Sequence, residues 1–218
     1  PASVKFITED GHGVQDNAAM ARAIVDFVKS KGAEPYIVAS MGSHGGATAE
    51  GQTQILKDYG ITFKQIDLLP DGSIDIEGVK AAITDKTRMV TAQRATGYSW
   101  RKAISIDEIA ALMEAVQAVN PSIVKMVDNS YGEFLDTKEP TDVGADVMAS
   151  SLIKNPGGGL ALSGAYIAGR QDLIDQIQYR MTCPGIGGEC GLTYGQTRTM
   201  LQGLFIAPKV TNGAVKGA

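Results

Sequence analysis

The chain has 218 residues, 44% of them hydrophobic, a formal net charge of −4, two histidines and two cysteines. That length and apolar content suit one domain with a sizeable core, and the acidic balance leaves no footprint for nucleic acid or an anionic membrane surface. No apolar run nears the ~20 residues that span a bilayer, no secretory leader is visible, and Cys183 and Cys190 have no matching pair for a zinc site, so a cytoplasmic protein with reduced thiols and no bound metal is expected.

Val4 to Thr8 reads as a strand, and Asp16 to Lys31 as a helix with Ala19, Ala23, Phe27 and Val28 near helical spacing. Gly32 suits its C-terminal end. Tyr36 to Ala39 is a second strand, and Thr48 to Tyr59 a second helix stopped at Gly60. Phe63 to Leu68 is a third strand, followed by the turn Pro70-Asp71-Gly72. A short helix follows from Ile76 to Ile83, then a strand from Arg88 to Ala92. Ile106 to Val119 is a helix with Ile109, Leu112, Met113 and Val116 on one face. Ile123 to Val127, Ala145 to Ser150 and Ala161 to Ala168 complete the strands. Gln171 to Arg180 is helical, and Gly191 to Gln202 is a weakly signalled last helix. Strand-helix alternation predicts an α/β fold: a three-layer αβα sandwich around a mainly parallel sheet.

Lys154 stands after the apolar run Gly144 to Ile153 and before Pro156-Gly157-Gly158-Gly159. A lysine at the end of a buried strand is costly to leave charged, and a neutral amine is the nucleophile that a Schiff base needs. The bland alternative is a surface lysine beside a glycine-rich turn. Asp128-Asn129 ends the strand before it, at the edge of an α/β sheet where ligands bind. A lysine for an aldehyde and a carboxylate for a pyridine nitrogen are the pair that pyridoxal phosphate requires. Asp-Asn after a strand is otherwise only a turn or a helix cap. Upstream, Gly11-His12-Gly13 and Gly42-Ser43-His44-Gly45-Gly46 each precede a helix, where free backbone N–H groups attract an anion such as a phosphate; ordinary tight turns are the alternative. His12 and His44 lie at one sheet edge in this reading and are candidates for an acid–base or metal-binding pair.

From Phe63 onward several stretches carry a family likeness: Gln93-Arg94 with Gly97-Tyr98-Ser99-Trp100-Arg101, Val127-Asp128-Asn129 with Tyr131-Gly132-Glu133-Phe134, Glu139-Pro140-Thr141, Ser150 to Ala161, Pro184-Gly185-Ile186-Gly187, and Gln202-Gly203-Leu204-Phe205. On them the chain resembles the methionine gamma-lyase-like, aluminium-resistance family of pyridoxal-phosphate enzymes. The resemblance implies the large domain of fold-type I enzymes, with Lys154 as the Schiff-base lysine and Asp128 as the partner of the pyridine nitrogen. It also implies that Ser151 donates to the cofactor phosphate, that Asn129 and Tyr98 lie at the cofactor, and that Tyr131 and Glu133 line the same mouth. Lys154, once freed, would move the α-proton of an amino-acid substrate. By strand order, Gly11, His12 and Gly13 would replace the family's phosphate loop, and Ser43 and His44 the segment that stacks on the ring.

Residues 1–62 resemble instead the N-terminal part of lactate-racemase-like proteins, on Glu34 to Gln52, with His44 in the place of a catalytic base. A chimera is therefore expected, with a seam near 56–63 inside one α/β domain. The chain stops near Lys216-Gly217-Ala218, so the C-terminal domain that carries the family's carboxylate-clamping arginine is expected to be missing. Three functions follow: a chimera derived from a carbon-sulfur lyase with little or no turnover, an active lyase on sulfur amino acids, or a racemase-like ligand-binding module centred on His12 and His44. A homodimer is expected, because the resembled family completes its site from a neighbouring subunit.

Overall fold

The computed structural model describes residues 64–97, 100–181 and 195–218, together with Gly51, Gln54, Lys57, Asp58, Thr62, Ile186 and Gly188. The chain divides into two compact units, Pro1–Gln65 and Ile66–Ala218. In the first, Gly51, Gln54, Lys57 and Asp58 are helical, as expected for Thr48 to Tyr59. The sheet and helices named next belong to the second.

Residues 64–69 form no strand, against expectation. Ile66 and Leu68 still pack on the core from this extended segment, so their alternation marks a buried edge without a ladder. Helix α1 (Ile76–Ala82) starts where the Asp75 carboxylate accepts from the Gly78 N–H at 2.8 Å. Strand β1 is Met89–Gln93, and helix α2 is Ile106–Val119, the span that its spacing predicts. Ser105 and Glu108 close a reciprocal capping box at its start: the Glu108 N–H donates to Ser105 Oγ at 3.2 Å, and the Ser105 N–H to Glu108 Oε2 at 2.9 Å.

Strands β2 (Val124–Asp128), β3 (Val147–Ser151) and β4 (Ala165–Gly169) complete a four-stranded sheet in the order β1-β2-β3-β4. β1, β2 and β3 run parallel, and β4 pairs antiparallel with β3. The fold is α/β with a mainly parallel sheet. β4 begins later than expected, because residues 155–164 fold into a 3-10 turn (Asn155–Gly157) and a loop rather than a crossover helix.

Paired Cα positions share a sheet face, and successive residues alternate between faces. Val127 and its partners Ala92 and Met148 therefore point to one side, where Ile109, Leu112, Met113 and Val116 of α2 bury them. Fully burying each such side chain stabilises the fold by about 1.5–3 kcal/mol. Asp128, Gln93 and Ala149 point to the other side.

Helix α3 is Gln171–Met181. The last helix, α4, runs from Thr197 to Gly217, 21 residues, well past the expected end at Gln202 and through Pro208. Its seat explains this. Gly203, Ala207 and Thr211 are buried at successive four-residue steps, and a Cβ on Gly203 would lie 2.2 Å from the Gly157 carbonyl oxygen. The helix backbone thus rests directly on the turn that follows Lys154. A close tertiary seat of this kind overrides the weak local signal and the proline. Among the described residues, no helix is long and apolar enough to cross a membrane.

Candidate active site

The carboxyl ends of β2 and β3 bring the first candidate residues together. Asp128 is the last residue of β2, in register with Gln93 on β1 and Ala149 on β3. Ser151, two residues beyond Ala149, shares that face. All four side chains are half-buried, and the small Ala149 leaves the surface beside Asp128 low. One Asp128 carboxylate oxygen accepts from the Ser130 N–H at 3.0 Å, an Asx turn that swings the chain from the strand into the loop 129–135.

Asn129 points the other way. It has no exposed surface. Its Oδ1 accepts from Arg94 Nη1 at 3.1 Å, and its Nδ2 donates to Glu139 Oε2 at 2.8 Å. Its amide is thus committed to a buried polar layer and supports the site from beneath instead of facing a ligand. Arg94 is the hub of that layer, only 4% exposed. It also donates to the carbonyls of Ile104 and Gly132 and pairs with Asp136 at 2.9 Å. A Cβ at position 132 would fall 2.4 Å from Asn129 Oδ1 and 2.7 Å from Arg94 Nη1, so the layer admits only glycine there.

Glu133, expected at the mouth, is also turned inward and is 3% exposed. The Tyr166 hydroxyl donates to its Oε1 at 2.9 Å, and Oε2 has no partner. Burial, with the nearby charge of Glu139, holds this carboxyl above the usual range. Burial and the adjoining Glu133 push the Tyr166 phenol well up in turn. An alternating run such as Tyr131-Gly132-Glu133-Phe134 says nothing about which side chains turn inward. That depends on Tyr131 and Phe134, both left-handed, at φ 64° and 63°.

Lys154 lies three residues past the end of β3 and precedes the 3-10 turn. It is half-buried, not at the end of a buried strand. Its Nζ is 2.8 Å from the Tyr131 hydroxyl, on the loop that leaves Asp128. Asn155 ties the two segments together: its Nδ2 donates to the carbonyls of Tyr131 at 3.2 Å and Glu133 at 2.9 Å. Gly157 and Gly158 meet the backbone of Leu152 and of α4. Ser151 Oγ donates to the Gly164 carbonyl at 3.3 Å and accepts from the Ile153 N–H at 3.2 Å. Arg101 donates to the carbonyls of Gln93 and Ala95 at the end of β1, not to an acid.

Tyr98, Gly11, His12, Gly13, Ser43 and His44 lie outside the described residues. Sequence reasoning missed Arg94, Asn155, Glu139 and Tyr166 as parts of the site. Arg94 and Glu139 fall inside quoted stretches, yet nothing in the order of residues marks Arg94 as buried, because three of its partners lie 35 to 42 residues away.

The methionine gamma-lyase family model matches residues 33–218. YnbB of Bacillus subtilis (strain 168), an uncharacterized protein, is 47% identical over 163 residues, which cover 75% of this chain and 39% of YnbB. The L-methionine gamma-lyase of Treponema denticola is 27% identical over 171 residues, covering 77% of this chain and 40% of that enzyme. The crystal structure of a carbon-sulfur lyase involved in aluminium resistance from Clostridium novyi NT superposes with a TM-score of 0.69 at 48% identity, covering 74% of this chain and 38% of that one. The chain thus spans about two fifths of the length of these relatives. The family match starts at residue 33. It takes in Glu34 to Gln52 as well as the expected seam near 56–63, and nothing found supports a lactate-racemase-like origin or a chimera. Glycine-rich sequence serves wherever a tight turn or an anion is needed, so the stretch Gly42-Ser43-His44-Gly45-Gly46 identifies a family poorly.

Proposed function

This chain belongs to the methionine gamma-lyase family, and we propose that its Ile66–Ala218 unit is the cofactor-holding part of a pyridoxal-phosphate-dependent carbon-sulfur lyase. The observation that carries the reading is the meeting of Lys154 with the loop that leaves Asp128, at the carboxyl ends of neighbouring parallel strands. The side chains there fit the group chemically: a half-buried primary amine, a half-buried carboxylate, and a half-buried hydroxyl on the same sheet face as the carboxylate.

Lys154 would hold the aldehyde carbon through its amine, Asp128 would keep a proton on the ring nitrogen, and Ser151 would bind the phosphate. The long contact from Ser151 to Gly164 is one that a phosphate oxygen competes with easily. When bound, pyridoxal phosphate supplies an electron sink for charge developing at the α-carbon of an amino acid. Lys154 then serves as the base that takes a proton from that carbon. Asn129 and Arg94 keep the loop after Asp128 in place and touch no ligand in this reading. The substrate is a small amino acid with a sulfur substituent, and the working assembly is a homodimer.

Purified protein mixed with pyridoxal phosphate should turn yellow, and borohydride should then fix the label on Lys154. Label scattered over many lysines, or a Lys154→Ala variant that still colours, would overturn the reading. Release of hydrogen sulfide or methanethiol from sulfur amino acids measures turnover separately.

A further inference from the structure

We propose that Tyr131 is a positioning residue for Lys154, presented to its amine by a strained loop that Asn155 latches down. This rests on the reading of Lys154 as the reactive amine.

Three observations converge. First, Lys154 Nζ and the Tyr131 hydroxyl are 2.8 Å apart, and the tyrosine ring is otherwise half in solvent, 53% exposed. A tyrosine held there for packing would bury its ring; this one meets the amine with its hydroxyl and, at 4.7 Å from the ring centre, with its ring face, a contact that phenylalanine keeps. Second, Tyr131 and Phe134 both hold left-handed backbone. Residues with side chains keep that conformation only where the surroundings over-determine it, and such places concentrate at functional sites. Third, the surroundings here do over-determine it. Arg94 binds the Gly132 carbonyl at 3.2 Å, Glu139 accepts from the Phe134 N–H at 3.0 Å, and Asn155 binds the carbonyls of Tyr131 and Glu133. Asn155 directly follows Lys154, so one amide couples the position of the lysine to that of the tyrosine.

The contact has a chemical consequence. A charged amine donates to the phenol oxygen, and a neutral amine accepts from the phenol O–H in preference to donating, because a phenol is the stronger hydrogen-bond donor. In these two arrangements the nitrogen lone pair is absent or engaged. Lys154 must therefore leave Tyr131 before it bonds to an electrophilic carbon, and the loop sets how readily it does so.

The test needs no cofactor. The full chain is treated at neutral pH with limiting formaldehyde and cyanoborohydride, and methylation of each lysine is followed by mass spectrometry, the other lysines serving as internal references. In Tyr131→Phe, Lys154 should be methylated about threefold to tenfold faster, the loss of one hydrogen bond, with the other lysines unchanged. Asn155→Ala should show the same selective gain, and so should Asn155→Asp, which keeps the shape but has no N–H to donate. A Lys154 rate within about twofold of wild type in Tyr131→Phe overturns the proposal. That variant removes one half-exposed hydroxyl and so decides the matter even where the Asn155 variants do not fold. A selective gain in a protein that never takes on colour with pyridoxal phosphate supports the Tyr131 contact and overturns only the cofactor reading.

Discussion

The two ends of the sheet treat buried charge in opposite ways. At the amino ends of β2 and β3, Lys125 and Asp146 are 5% and 8% exposed and pair at 2.9 Å. Asp146 also accepts from the Lys125 N–H at 2.8 Å and from Arg170 at 3.1 Å, while Lys125 reaches Gln117 on α2 at 3.0 Å. Burial works against the charge on Asp146, but the bonds from Lys125 and Arg170 outweigh it and hold the carboxyl below its usual range. At the carboxyl ends, Glu133 is equally buried, has one oxygen unpartnered, and is held above its usual range. One end is satisfied; the other keeps a buried carboxyl short of a partner and two residues in left-handed backbone. Strain and unmet polar demand gather at the end where ligands of such sheets bind, which locates the site independently of the lysine.

The largest effect should come from breaking the satisfied end. Asp146→Ala leaves Lys125 buried without its counter-ion and should lower the unfolding free energy by about 3–5 kcal/mol, read from urea titration. A loss no greater than that of a surface substitution would mean that the Lys125 side chain escapes to solvent. Next is Gly203→Ala. Its methyl has no room against Gly157, and forcing it in should cost about 1–3 kcal/mol. Because α4 rests on the turn after Lys154, the same variant should also slow labelling of Lys154 by pyridoxal phosphate, and unchanged labelling would detach α4 from the site.

A smaller effect separates the two carboxyls by pH. A lowered value in the folded state means that Asp146 stabilises the protein above the ordinary carboxylate range, near pH 4, and that this is lost as pH falls. A raised value means the reverse for Glu133. Its contribution is full below the ordinary range and fades as pH rises through the folded-state value. Glu133→Gln keeps an acceptor for Tyr166 and cannot ionise. Relative to it, wild type should lose stability on going from acid to neutral pH; parallel stability profiles for the two proteins would refute the raised value of the inward carboxyl. The smallest change in stability belongs to Lys154→Ala. Its hydrogen bond and ring contact to Tyr131 are exposed, so the unfolding free energy should shift by less than about 1 kcal/mol, while the yellow colour and the borohydride label disappear.

Much of the second unit was legible residue by residue. The stripe Ile109, Leu112, Met113 and Val116 marks α2 because helical spacing writes itself directly into the order of apolar residues. Strands β1, β2 and β3 fall within a few residues of their apolar runs. Asp128 and Ser151 were readable as strand-end residues, since a strand followed by polar and glycine residues places its last side chains at the sheet edge; Lys154 falls three residues beyond β3. The segment 64–69 and the last helix were misread for one reason. An alternating pair and a proline-containing stretch are weak local signals, and their outcome depends on partners far along the chain.

The order of residues alone determined the α/β class, the elements with strong periodicity and the residue types gathered at the carboxyl ends, because each follows from neighbours a few positions apart. Only the tertiary structure decided that Asn129 and Glu133 turn inward, that Arg94 is buried among four partners, that Gly157 meets a helix and not a ligand, and that Lys154 rests on Tyr131. Those outcomes depend on contacts between segments 23 to 46 residues apart in the chain, and local spacing carries no record of which distant group will fill a given space.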